Sequence, residues 1–128
     1  MMKKILLIED NEANTNLIQR ILSIHPYELL HAADAMTGIW MARQTQPDLI
    51  LLDISLPDLN GTIVAGHLKQ LSRTEHIPIV AVTADTTIRT KQLAMEYGCE
   101  DVIYKPIETR VFHDRIAAYL GLTEYSGV

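Results

Sequence analysis

The chain has 128 residues, 48% of them hydrophobic, which suits one domain of ordinary size with enough apolar material for a core. Its 11 basic residues against 16 acidic ones leave a net charge of −5, an argument against nucleic acid or anionic membrane as a partner, since both need a basic face. A single cysteine, Cys99, rules out an internal disulfide or a zinc knuckle.

In chain order, the basic pair Lys3-Lys4 is followed by the apolar run Ile5-Leu6-Leu7-Ile8. That run is too short for a signal peptide or a membrane span but fits a buried strand; a cytoplasmic location is expected. It ends in Glu9-Asp10. A helical stripe of Leu17, Ile18, Ile21 and Leu22 follows, with Asn11 and Asn14 as candidate caps. Tyr27 to Ala32 reads as an edge strand. Asp34 is placed to cap a second helix lined by Ala35, Ile39 and Ala42. Leu49-Ile50-Leu51-Leu52 is a second buried strand and ends in Asp53. Val64, Leu68 and Leu71 define a third helix, and Ile79-Val80-Ala81-Val82 a strand ending in Thr83-Ala84. A fourth helix is expected over residues 86–97, stopping at Gly98. Val102-Ile103-Tyr104 is a second edge strand, ending in Lys105-Pro106. Phe112, Ile116 and Leu120 mark the last helix, before Gly121. The alternation βαβαβαβαβα predicts a doubly wound α/β domain over residues 1–122, with a five-stranded parallel sheet in order 2-1-3-4-5, five helices and a short tail over 123–128.

In such sheets ligands bind outside the carboxyl ends of the strands, at the switch point of the strand order. Those ends are Glu9-Asp10, Asp53, Thr83-Ala84 and Lys105-Pro106, so three carboxylates, a hydroxyl and an ammonium aim at one rim. Three adjacent carboxylates repel unless a cation joins them, and hard oxygen ligands of this kind select Mg²⁺. A Mg²⁺ and the Lys105 ammonium would together stabilise an incoming phosphoryl group, a reaction that needs mostly positioning and charge neutralisation. Asp53, at the tip of the most apolar strand, is the expected nucleophile, and the Thr83 hydroxyl is placed to bind the resulting acyl phosphate.

These four motifs, in this order at strand ends, resemble the signature of bacterial response-regulator receiver domains, a CheY-like superfamily with a flavodoxin-like fold. Leu56-Pro57-Asp58-Leu59-Asn60-Gly61 resembles the family's loop after the phosphorylated aspartate. The spacings from Asp53 to Thr83 and to Lys105 fall in the family's usual range, and the likeness runs from residue 3 to about residue 120. Glu9 to Asn14 and Ile77 to Ala84 are most similar to single-domain receivers of the DivK type and receivers of hybrid kinases. The resemblance implies a single-domain response regulator of a two-component or phosphorelay system. Asp53 would take a phosphoryl group from the phosphohistidine of a sensor kinase or a histidine phosphotransfer protein. Asp10, Asp53 and the backbone carbonyl of Ser55 would bind Mg²⁺, with Glu9 acting largely through water. Lys105 would contact the phosphoryl group, Thr83 would move toward it, and the peptide before Pro106 would be cis, against about 5–6% of X–Pro bonds in general. Such a protein is not an enzyme beyond its own phosphorylation and dephosphorylation. Its output would be contact with a downstream protein, as a monomer or as a homodimer through the last two helices.

One position departs from the pattern. Receivers usually carry Tyr or Phe three residues before the lysine, where this chain has Val102; the nearby aromatic is Tyr104. That substitution alone favours a phosphorylation-independent interaction module of the same fold. A Mg²⁺-dependent phosphohydrolase ranks below both, because Ser55 stands where such enzymes carry a second aspartate. Asp85, two residues after Thr83, would sit near the site. Pro57 and Gly61 are read as shaping a turn, the five histidines as structural or exposed, and Cys99 as a packed side chain.

Overall fold

The computed structural model describes residues 2–122, so the tail expected over 123–128 lies outside the described residues. The strands β1 (Lys3–Ile8), β2 (Tyr27–Ala32), β3 (Leu49–Asp53), β4 (Ile79–Thr83) and β5 (Asp101–Tyr104) alternate with the helices α1 (Glu12–Ser23), α2 (Ala35–Thr45), α3 (Gly61–Lys69), α4 (Ile88–Glu96) and α5 (Thr109–Tyr119). The strands form one sheet in the order β2-β1-β3-β4-β5, and every neighbouring pair is parallel. This is the expected doubly wound fold. Its switch point falls between β1 and β3.

Alternation along the strands sorts the core into two layers. Leu6, Ile8, Ile50, Leu52, Ile79, Ala81 and Val102 face α2, α3 and α4, where they pack with Ala35, Ala42, Val64, Leu68 and Ala94. Ile5, Leu7, Leu49, Leu51, Val80, Val82 and Ile103 face α1 and α5, where they meet Ile18, Leu22, Phe112 and Ile116. Strands covered on both faces have no polar side, which is why β1, β3 and β4 read as unbroken apolar runs.

Helix ends follow local chemistry. Asn11 caps α1 by accepting from the Asn14 N–H at 2.9 Å, and Asp34 caps α2 by accepting from the Thr37 N–H at 2.8 Å. The fourth helix begins at Ile88, two residues later than expected, because Thr87 is its cap and accepts from Thr90 N–H. Gly98 (φ 106°) and Gly121 (φ 74°) take the left-handed conformation just beyond α4 and α5. In each case the next two amides return to the last helical carbonyls: Gly98 to Met95 and Cys99 to Ala94, Gly121 to Ala118 and Leu122 to Ala117. Leu71, read as part of the third helix, lies in the turn after it. Gly38 joins Ala35 and Ala42 on the buried stripe of α2. A β-carbon there would lie 2.6 Å from Ile8 Cδ1, so the bare glycine lets α2 press against β1.

Gly61 is more than a turn former. Its N–H donates to the Ile54 carbonyl at 2.8 Å, and a β-carbon there would stand 2.5 Å from the Asp53 carbonyl oxygen and 2.7 Å from Ile54 Cα. The start of α3 therefore lies directly against the backbone that carries Asp53. At the other end of the fold, Arg115 on α5 donates to Asp101 Oδ2 at 2.7 Å and to the Val102 carbonyl at 3.1 Å, and the Tyr119 hydroxyl also donates to Asp101. The His25 and His113 rings stack with centroids 3.5 Å apart and planes within 7°, and His113 Nε2 meets the Tyr27 hydroxyl at 3.3 Å. Burial, then the charge on His25, hold His113 below its ordinary pKa, with Asp114 opposing.

Two outcomes follow from this packing. Gly61→Ala must push backbone away from backbone and is expected to lower unfolding free energy by about 1–3 kcal/mol, measured by urea denaturation. For His113 the unfolded chain binds the proton more tightly, so its contribution is complete above pH 6.5 and is lost as pH falls through the lower folded value. Melting temperatures between pH 8 and pH 5 should therefore fall less steeply in His113→Phe than in the parent chain.

Candidate functional site

Four strands deliver the side chains of the rim. Glu9 and Asp10 follow β1, Asp53 is the last residue of β3, Thr83 the last of β4, and Lys105 follows β5. The strand register sets β1 beside β3 and Thr83 opposite Tyr104. Lys105 is held there by its N–H, which donates to the Thr83 carbonyl at 2.8 Å, and the Lys105–Pro106 peptide is cis.

Glu9, Asp10 and Asp53 each offer a carboxylate oxygen, and these oxygens all lie within 4.8 Å of one another. Asp10 is exposed, whereas Glu9 and Asp53 are only 1% and 4% exposed. The cation opposite them is Lys105, whose Nζ stands 3.2 Å from Glu9 Oε1 and 3.6 Å from Asp53 Oδ1. Backbone amides orient both buried acids. The Asn11 N–H donates to Glu9 Oε2 at 3.2 Å, and the Ser55 N–H donates to Asp53 Oδ1 at 3.1 Å. Glu9 Oε1 is buried with no hydrogen-bond partner, the Lys105 contact being an ion pair without hydrogen-bond geometry.

One ammonium does not balance three carboxylates. Burial, and then the neighbouring Glu9 carboxyl, push Asp53 up to about 7, with the Ser55 N–H and Lys105 pulling the other way. The donor set of carboxylate oxygens, one of them orphaned in the interior, fits a hard divalent ion such as Mg²⁺.

Thr83 is buried, and its Oγ1 accepts from the Asp85 N–H at 3.0 Å. A hydroxyl has a donor as well as acceptor sites, so that bond leaves its proton to give. The Asp85 side chain turns away to the start of α4, where its oxygens accept from the Thr87 N–H at 2.9 Å and the Thr90 hydroxyl at 2.6 Å. Ala84 is exposed beside Thr83, and Pro106 is exposed beyond Lys105. Val102 is 2% exposed and packs inside the core layer, while Tyr104, two residues on and facing the same side, is half-buried against that layer. The aromatic ring is thus on the right face but one step nearer the rim.

Three contributors were not legible as such in the sequence. His31 Nε2 lies 2.8 Å from the Glu9 carbonyl, which can only accept, so that nitrogen carries the proton and steadies the first strand's end. Gly61 packs against the Asp53 backbone. Asp58, next to the turn-forming Pro57, reaches out of the β3–α3 loop to α2. Cys99 is the packed residue expected, its thiol pushed up to about 11 by burial.

Known proteins share this fold. The family profile of the response regulator receiver domain matches residues 5–117. The chain is 36% identical over 121 residues to the polar-differentiation response regulator DivK of Brucella anthropi, covering 94% of this chain and 98% of that protein. Among solved structures, the CheY-like receiver domain protein of Methanospirillum hungatei superposes with a TM-score of 0.88 at 26% identity, over 98% of this chain and 99% of that one. The receiver domain of a sensor histidine kinase from Pseudomonas aeruginosa, described with a magnesium ion coordinated in its active-site cleft, gives 0.87 at 26% identity, over 94% of this chain and 99% of that one. With the family profile spanning most of its length, this chain belongs to the response regulator receiver domains, the signalling proteins of two-component systems.

Proposed function

We propose that the chain is a phosphorylatable receiver acting over residues 1–122, in which Asp53 accepts a phosphoryl group from a partner's phosphohistidine. The observation that carries this reading is the buried Asp53 carboxylate with the acidic oxygens of Glu9 and Asp10 within 4.8 Å and the Lys105 ammonium 3.6 Å away. Asp10, Asp53 and the Ser55 carbonyl would hold Mg²⁺, with Glu9 acting through water. The ion would supply positive charge against the phosphoryl oxygens.

The chain's own residues do the rest. An Asp53 oxygen forms the new bond to phosphorus as the phosphorus–nitrogen bond of the donor imidazole breaks, and that nitrogen leaves with the electron pair. The Ser55 N–H, bonded to Asp53 Oδ1, keeps the carboxylate turned toward the rim. Lys105 exchanges its contact with the carboxylate for one with the transferred group, and the Thr83 hydroxyl donates its proton to a phosphoryl oxygen while keeping the Asp85 N–H. Output passes to a downstream protein by contact. With Val102 sealed in the core, Tyr104 is the aromatic ring of β5 left to register a shift of Thr83, its partner in the sheet.

The test is intact mass after incubation with phosphoramidate, with and without Mg²⁺. A gain of one phosphoryl group that needs Mg²⁺ and disappears in Asp53→Asn is expected. Lys105→Ala should form the adduct about 10²-fold more slowly, the loss typical of one charge-stabilising group. A folded, Mg²⁺-binding chain that never gains mass would show a phosphorylation-independent interaction module instead.

A further inference from the structure

We propose that Asp58 is a positioning residue for the acidic site, mooring the β3–α3 loop to the first turn of α2. The inference rests on the reading of Ser55 as a cation ligand. The loop runs over residues 54–60, and its base is closed by the Gly61–Ile54 hydrogen bond and a bridge between Ser55 and Asn60. Asn60 is occupied in capping α3, accepting from the Thr62 N–H at 2.8 Å. Leu56 and Leu59 lean on the core, but Ser55, Pro57 and Asp58 are exposed, so the outer half of the loop has little burial to hold it.

Asp58 supplies that hold. Its two oxygens take separate donors, the Ala35 N–H at 2.8 Å and the Met36 N–H at 3.1 Å. These are the first two amides of α2, otherwise without a helical partner. The hydrogen bond from the Ala35 N–H, and with it that from Met36, keeps the Asp58 carboxyl below the ordinary carboxylate range. The helix does not depend on this residue for its cap, because Asp34 already takes the Thr37 N–H. The two carboxylates serve one helix end from different places: Asp34 belongs to that end, and Asp58 comes from the loop carrying Ser55. Since α2 presses on Ile8 through Gly38, immediately before Glu9 and Asp10, the Asp58 bonds tie the β3 side of the acidic cluster to its β1 side. The distance between the Ser55 carbonyl and the β1 carboxylates is thereby set.

Asp34→Ala is the matched control, removing one cap from the same terminus without touching the loop. Mg²⁺ binding would be followed by calorimetry, with the fluorescence of the single tryptophan, Trp40, as a second readout. Asp58→Ala is expected to raise the Mg²⁺ dissociation constant about 10-fold, and Asp34→Ala less than about 2-fold, in the manner of residues that orient metal ligands. Asp58→Asn, which keeps one accepting oxygen, should fall between them. In the metal-free protein, amide hydrogen exchange over residues 55–61 should quicken in Asp58→Ala and stay near the parent rate in Asp34→Ala. Equal weakening of Mg²⁺ binding by the two alanine variants, or parental loop exchange in Asp58→Ala, would overturn the proposal and leave Asp58 an ordinary helix cap. A parent chain that binds no Mg²⁺, with loop exchange still quickened by Asp58→Ala alone, would sink the metal reading while leaving the mooring in place.

Discussion

Two carboxylates, Glu9 and Asp53, are buried side by side at the end of a parallel sheet with a third acid beside them and one ammonium opposite. Taking a carboxylate out of water is costly unless it is paired and hydrogen-bonded. The fold meets part of that cost with the Asn11 and Ser55 amides and with Lys105, and leaves the remainder as unbalanced negative charge. A site in that condition is stabilised by whatever brings positive charge to it. Its chemistry depends on this more than on any one side chain.

The surroundings of the cluster can be understood as means of keeping the acids there. The apolar strands β1 and β3 are rigid because they are covered on both faces, so their ends hold the carboxylates at a defined separation. Gly61 allows α3 to begin against the Asp53 backbone, and Gly38 allows α2 to begin against the end of β1. Glycine serves both positions because two pieces of backbone, or backbone and a core side chain, must approach more closely than a β-carbon permits. Asp58 then spans the gap between those two elements. Site and scaffold are one packing problem.

On the opposite edge, β5 combines two functions. Lys105 and the Thr83 register belong to the rim, while Asp101 at the other end of the strand collects Arg115 and Tyr119 from α5. A strand of four residues thus joins the reactive end to the last helix. The replacement of the family's usual aromatic by Val102 removes a ring from the middle of this strand. Tyr104 restores one at its end, on the same face because side chains alternate.

Most of the fold was legible in the residues themselves. Runs such as Leu49–Leu52 and the stripe Ile18, Ile21, Leu22 carry their period locally, and Asp34, Gly98 and Gly121 act on the amides or carbonyls next to them. The rim followed by one further step, since the strand ends of a doubly wound sheet meet by topology. Least legible were contacts between parts of the chain distant in sequence: the Asp58 carboxylate on Ala35 and Met36, the stacking of His25 on His113, and the His31 bond to the Glu9 carbonyl. These depend on which helix lies beside which loop, and on distances that no local pattern encodes. By itself, the sequence determined the elements and the acids at their ends. The tertiary structure decided how deeply those acids are buried, and burial is what sets Glu9 and Asp53 apart from ordinary surface carboxylates.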